Sequence, residues 1–188
     1  MILLIGKHCE RLIPYLDSRE GEDYVFVPDD KIDLDFVKGG DFSFLISFGY
    51  RYILTKDILD EFGDKAINLH ISYLPWNKGA DPNFWSFLHN TPKGVTIHHI
   101  DEGLDTGDII LQIKLFFENG HTLASTYEML MREVVYLFEK NWPFLKEGSC
   151  LSRRKQAEPG SYHCSKDKEP FSELLKDGWD IPVSIFGY

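Results

Sequence analysis

The chain has 188 residues, 43% of them hydrophobic and 14% aromatic, with a formal charge of -10. That length and apolar content can close one sizeable core. The acidic balance argues against a nucleic-acid partner, which needs a basic stripe to meet phosphates; the densest cationic run, Arg153-Arg154-Lys155, reads as a solvated loop.

Strands and helices alternate from the start. Ile2 to Ile5 is a short continuous apolar run ended by Gly6, the pattern of a strand buried on both faces. Tyr24 to Val27 is a second strand, residues 42–49 a third and Ala66 to His70 a fourth. Between them, 8–16, 32–37 and 55–62 suit helices, the last opening on Thr55 as an N-cap before Asp57. This rhythm predicts parallel crossover units with helices on both faces of the sheet. After His70 it changes. A helix is expected from Pro82 or Asn83 to His89, then strands at 95–100 and Ile109 to Leu115, joined by a connection long enough only for antiparallel neighbours. The longest helical pattern covers 122–146, where Leu123, Tyr127, Leu130, Val134, Leu137, Phe138 and Phe144 recur near a period of 3.6 and Pro143 kinks or ends it. Residues 156–168 read as polar and irregular, 170–176 as a short helix, and Trp179, Phe186 and Tyr188 as an aromatic tail.

Cys9, Cys150 and Cys164 are odd in number, widely separated and without a CxxC, which suits a reducing compartment and no structural zinc. The N-terminal apolar run is too short for a signal peptide or a membrane span. The expectation is a soluble cytoplasmic protein without a membrane partner.

The chemistry gathers between 68 and 108. Asn68-Leu69-His70-Ile71-Ser72-Tyr73-Leu74-Pro75 ends the fourth strand, and Asp101-Glu102-Gly103-Leu104-Asp105-Thr106-Gly107-Asp108 forms a glycine-bracketed loop. Asn68 and His70 are two apart on a strand, so they share a face, and ligands of open α/β sheets sit beyond the carboxyl ends of the strands. With Asp105 in reach, an amide, an imidazole and a carboxylate can stabilise an oxyanion, move a proton and fix the imidazole's charge. The alternative is that Asn68 caps a turn and His70 is a satisfied core histidine. His98 and His99 are adjacent on a strand and point opposite ways, so at most one can join His70; the spacing of a closed metal site is missing, and no metal is expected. His163, in Gly160-Ser161-Tyr162-His163, reads as a surface residue.

These residues resemble the N10-formyltetrahydrofolate-dependent formyltransferases, a family that includes glycinamide ribonucleotide transformylase, methionyl-tRNA formyltransferase and the nucleotide-sugar N-formyltransferases. Its Asn-x-His-x-Ser-x-Leu-Pro motif is matched at Asn68, His70, Ser72, Leu74 and Pro75, and its Leu/Ile-Asp-x-Gly loop at Leu104, Asp105 and Gly107. The likeness runs from about Phe42 to Gln112. The wording of Lys78 to Trp85 and Gly94 to His98 is most similar to the sugar-modifying branch.

The resemblance implies a Rossmann-like formyltransferase fold, a mixed but mostly parallel sheet with helices on both faces. It further implies a catalytic domain over 1–150 and a short C-terminal helical extension, 151–188, packed on it. Asn68, His70 and Asp105 are then the catalytic trio: Asn68 a donor to the oxyanion, Asp105 a support for His70, and His70 either a proton acceptor or an imidazolium. The co-substrate N10-formyltetrahydrofolate would lie against Tyr50, Arg51, Tyr52, Ile53 and Leu54 and against Ile100, Asp101, Gly103 and Leu104. Lys7, Ser72, Lys78, Asn83 and Trp85 are the candidates for the acceptor, a nucleotide-linked amino sugar for surface glycan assembly. Hydrolysis of the same folate and formylation of glycinamide ribonucleotide stay open as alternatives, and a homodimer is a possible assembly. The family's phosphate-binding glycine loop after the first strand is reduced to Gly6-Lys7, and with no tRNA-holding barrel in these 188 residues tRNA is not the expected acceptor.

Overall fold

The computed structural model describes residues 1–147, 153–156, 160–176 and 178–187. Strand β1 (Ile2–Ile5) leads through a 3-10 helix (Lys7–Leu12) into α1 (Ile13–Asp17), followed by β2 (Tyr24–Val27), α2 (Leu34–Gly39), β3 (Phe44–Ser47), α3 (Lys56–Phe62) and β4 (Ala66–His70). Then come β5 (Lys78–Gly79), α4 (Pro82–Leu88), β6 (Lys93–His99), β7 (Ile109–Leu115), the long α5 (Leu123–Glu147) and β8 (Tyr162–His163). Six strands form one sheet in the order β2-β1-β3-β4-β6-β7, while β5 and β8 pair as a separate ribbon. Pairing is parallel from β2 to β4 and antiparallel from β4 through β6 to β7. This is the mixed, mostly parallel α/β sheet expected from the change of rhythm after His70.

Strand alternation sorts the core into two layers. Ile2, Leu4, Phe44, Ile46, Ile67 and Leu69 pack with Leu16, Phe84, Leu130, Val134 and Phe138. Leu3, Ile5, Leu45 and Ala66 pack with Val37, Ile58, Leu59 and Phe62 on the opposite face. A strand covered on both sides has no polar positions, which is why β1 is apolar throughout. β2 has the same composition but sits at the sheet edge and is only half-buried. Asn68 and His70 alternate with Ile67 and Leu69, so they leave the sheet on the face of Ala66.

Several boundaries differ from the sequence expectation for local reasons. The helix expected at 8–16 divides, because α1 restarts with Pro14 in its first turn, where the missing N–H removes no helical bond. The helix expected at 32–37 starts at Leu34, since the Asp33 carboxylate caps it by accepting from the Phe36 N–H at 2.8 Å. Thr55 is the N-cap of α3, but its side chain makes no cap hydrogen bond. In place of an irregular stretch at 156–168 the chain forms β8. In place of a helix at 170–176 there is a 3-10 helix, Ser165–Phe171, that opens early because the Asp167 carboxylate accepts from the Cys164 N–H at 2.7 Å. The cationic run is exposed, yet Arg154 extends the sheet edge through paired backbone bonds with Ile109.

Pro143 neither ends α5 nor interrupts its assignment, which runs on to Glu147. A proline inside a helix cannot bond the carbonyl four residues back. That carbonyl belongs to Glu139, and the Tyr15 hydroxyl from α1 donates to it at 2.9 Å. At the other end of α5, the Leu123 and Ala124 N–H groups are satisfied by the carbonyls of Ile181 and Trp179, which ties the tail to the helix start. Phe84 receives Trp179 and Phe186 edge-on. Cys150, Tyr188 and the expected domain boundary at 150 lie outside the described residues. Among the described residues Cys9 and Cys164 are free thiols, and no helix is long and apolar enough to cross a membrane.

Tyr15→Phe is expected to cost about 1 kcal/mol of unfolding free energy by leaving the Glu139 carbonyl without its donor. In a Pro143→Ala background, where the helix supplies its own N–H, the same substitution should cost clearly less. Urea denaturation of the four variants measures this; equal costs in both backgrounds would refute the account.

Candidate active site

The end of β4, its antiparallel neighbour β6, the 100–108 loop and the β5–β8 ribbon converge on one carboxylate. The Asp105 side chain is only 9% exposed. Its Oδ1 accepts from Asn68 Nδ2 at 3.1 Å and lies 3.5 Å from His98 Nε2. Its Oδ2 accepts from the Gly79 N–H at 2.8 Å and lies 3.6 Å from His70 Nδ1. Burial by itself pushes the Asp105 carboxyl up, but the His70 and His98 rings and the Gly79 N–H outweigh it and hold the group well below the usual carboxylate range.

The ring nitrogens can be assigned from their partners. His98 Nδ1 faces the His99 carbonyl at 2.7 Å, an atom that only accepts, so Nδ1 carries a hydrogen, while Nε2 lies 3.1 Å from Asn68 Nδ2 and 3.5 Å from Asp105 Oδ1. His70 Nε2 faces the Asn77 carbonyl at 3.1 Å and donates to it, while Nδ1 faces the carboxylate. Both nitrogens of His70 therefore look at acceptors, an arrangement that the doubly protonated ring satisfies in full.

Gly79 holds its place for a steric reason. Its φ is +86°, and a Cβ there would run into the His163 carbonyl oxygen. The ribbon that fixes it is closed by the Lys78 N–H donating to Ser161 O at 2.9 Å and the Ala80 N–H donating to His163 O at 2.8 Å. His163 is not the surface residue expected from sequence: its ring stacks on Trp85 with centroids 4.1 Å apart and planes 11° apart.

Two cavities meet at the trio: Asn68 and Asp105 belong to the wall of both, and His70 borders the second. The first is a narrow slot lined by Ser47, Asn68, His98 and Asp105, by Tyr50, Tyr52, Ile53 and Leu54, and by Ile100, Asp101, Gly103 and Leu104. The second, about 550 Å³, is bounded by Lys7, Gly49, Arg51, His70, Asp81 and the β8 residues Tyr162 and His163. Of the residues expected to hold the folate, Arg51 alone is absent from the slot; it faces the larger cavity and pairs with Asp29 at 3.1 Å.

The acceptor candidates separate as well. Lys7 borders the larger cavity. Ser72 is 2% exposed with a buried hydroxyl that meets no partner among the described residues, and nothing in the structure explains it. Lys78 contributes the backbone of β5, and its side chain borders neither of the two cavities. Asn83 uses its amide inside the protein, donating to Leu123 O at 2.9 Å and Thr126 Oγ1 at 3.1 Å between α4 and α5. Trp85 is 3% exposed and supports His163, so it packs rather than facing a ligand.

His98 and Gly79 are the site members that sequence reasoning did not select. For His98 the signal existed: in the antiparallel register Asn68 stands opposite His98, and partners across strands share a face. For Gly79 there was none, because its amide is placed by pairing with a distant segment.

Fold and site together define a formyl transferase. The formyl transferase family model matches residues 39–135, just over half of the chain, and the chain belongs to this family. Among solved structures it is similar to the formyltransferase PseJ from Anoxybacillus kamchatkensis, crystallised with UDP-4,6-dideoxy-4-formamido-L-AltNAc and tetrahydrofolate. The two share 48% identity with a TM-score of 0.89, covering 98% of this chain and 96% of the other. The methionyl-tRNA formyltransferase of Clostridium tetani is 32% identical over 154 residues, 81% of this chain and 48% of that protein. The dTDP-4-amino-4,6-dideoxyglucose formyltransferase of Mycobacterium tuberculosis is 29% identical over 133 residues, 71% of this chain and 56% of that one. The chain thus spans about half the length of the curated relatives it matches.

Because the Asp105 carboxyl is held below its unfolded value, the stability it contributes is complete above about pH 5 and is lost as pH falls through the ordinary carboxylate range and below it. Asp105→Asn should therefore be less stable than wild type at neutral pH, with the gap narrowing steadily below about pH 5 in urea unfolding. A gap that stays constant or widens toward acid would show that the carboxylate is not held by these contacts.

Proposed function

We propose that this protein transfers the formyl group of N10-formyltetrahydrofolate to the primary amine of a nucleotide-linked amino sugar, and specifically to the 4-amine of a UDP-linked 4,6-dideoxy sugar. One observation carries the reading: Asn68 and Asp105 stand in the common wall of a narrow slot and a larger cavity, so a donor in one and an amine in the other would meet at them. The likeness at 48% identity to an enzyme crystallised with tetrahydrofolate and a UDP-linked 4-formamido sugar supports both ligand classes.

The slot suits a pterin. Ile53 and Leu104 both line it while 65% and 40% exposed, apolar surface that a flat ring would cover. The folate supplies the formyl group; the chain's residues do the rest. The attacking nitrogen forms a bond to the formyl carbon, the bond from that carbon to N10 breaks, and the proton lost by the amine is taken up by N10. Asn68, which borders both cavities, would face the formyl oxygen. Exchanging its His98 contact for the developing oxyanion would provide a donor worth on the order of 3 kcal/mol. His70, held between Asp105 and the Asn77 carbonyl on the wall of the larger cavity, would act as an imidazolium whose charge stabilises the same oxygen. Asp105 orients that ring, as the acidic member of such triads does.

Formation of the formamido product, followed by mass spectrometry with N10-formyltetrahydrofolate and UDP-, dTDP- and GDP-linked amino sugars, tests the reading. Wild type should formylate the UDP-linked 4-amine. Asn68→Ala and His70→Ala should each lower kcat by about 10²- to 10³-fold with a smaller change in acceptor KM. No product from any of the three amines would overturn the proposal, and equal formate release with and without an amine would replace transfer by hydrolysis.

A further inference from the structure

Beyond the catalytic cavity lies another of about 400 Å³, bordered by Ile71, Pro82, Ala124, Tyr127, Glu128 and Trp179. The two cavities have Lys7 and Asp81 in common, so they form one run that starts at Asn68 and His70 and ends between α4, α5 and the C-terminal tail. We propose that the base of the nucleotide-linked acceptor occupies the cavity walled by Tyr127 and Trp179, with the diphosphate at Lys7 where the two cavities join. The proposal rests on the function given above and adds where the nucleotide is read.

Charge at the junction supports it. Asp81 is paired with Lys168 at 2.7 Å, so its negative charge is compensated within the protein. Arg51, the other cation of the catalytic cavity, is held by Asp29. Lys7 is exposed and has no ion-pair partner among the described residues, which leaves it as the cation available to a diphosphate.

The walls support it too. Tyr127 is anchored by its hydroxyl against His8 Nε2 at 3.3 Å, and Trp179 by the Lys168 ammonium 5.0 Å from its ring centroid and by Phe84 at its edge. Trp179 remains 36% exposed although it closes the cavity, so aromatic surface is available there for stacking. Rigid aromatic rings with one open side are what a nucleobase needs, since every base has a π face. Pro82 and Ala124, the first residues of α4 and the second of α5, add small apolar surface that leaves room for it. An extended sugar nucleotide then lies with its amine at the catalytic wall, its charge at the junction and its base at the far end.

The test uses the full chain with UDP and with uridine as probes, without amino sugar, by isothermal titration calorimetry. Wild type should bind UDP. Tyr127→Ala and Trp179→Ala should each weaken UDP and uridine alike, by about 5- to 100-fold. Lys7→Ala should weaken UDP by about tenfold and leave uridine unchanged. Tetrahydrofolate binding should be the same in all variants, reporting an intact fold. Wild-type affinity for UDP in both aromatic variants, or equal effects of Lys7→Ala on UDP and uridine, would overturn the assignment, as would a wild type that binds tetrahydrofolate but not UDP. If UDP binds as stated and no formamido product forms, the base site stands and the transfer reaction falls. If product forms and the aromatic variants keep the wild-type acceptor KM, the reverse holds.

Discussion

A buried carboxylate that stays ionised is the constraint on which this structure depends. Asp105 is almost enclosed, and an enclosed charge without partners is strongly disfavoured. It persists because an amide from β4, a backbone N–H from β5 and two imidazoles from β4 and β6 surround it. The partners come from three separate strands, so the charge can be accommodated only when the sheet, the 100–108 loop and the ribbon have all assembled. The groups that hold the carboxylate are the groups that would act on a formyl carbon, and folding and chemistry thus make the same demand on Asn68 and His70.

The fold meets this demand by changing direction once. Parallel strands with crossover helices bring the ends of β1, β3 and β4 to one edge, and the reversal into β6 and β7 sets His98 directly across from Asn68. The register between β6 and β7 shifts at Ile97 and His98, an irregularity of the kind that re-aims a side chain beside a functional site. The β5–β8 ribbon then delivers an N–H to Asp105 from the opposite side, and the Trp85–His163 stack stiffens it. Residues that look like ligand contacts in the sequence, such as Trp85 and Asn83, work one layer behind.

Much of this was legible before any coordinates. Continuous apolar runs identify strands that are covered on both faces, the two-residue spacing of Asn68 and His70 puts them on one face, and the short 100–108 connection requires antiparallel neighbours. What was hidden depends on contacts between distant segments. The continuation of α5 through Pro143 depends on a hydroxyl from α1, and no helical periodicity reports it. The amide of Gly79 is set by pairing with β8, more than eighty residues away, in a stretch whose polar composition suggests a loop. Tyr127 falls on the apolar period of α5 and reads as core, yet it borders a cavity that Trp179 of the tail also lines. Arg51 follows Tyr50 in the same short segment, but its pairing with Asp29 turns it away from the slot.

The central claim is that Asp105 and His70 act as one unit on the formyl group. The most direct test is a double-mutant cycle on the rate of formyl transfer, comparing His70→Ala, Asp105→Ala and the combined variant. If the carboxylate works through the imidazole, the double variant should be no slower than the slower single variant. Losses that multiply would show two independent contributions and contradict the account.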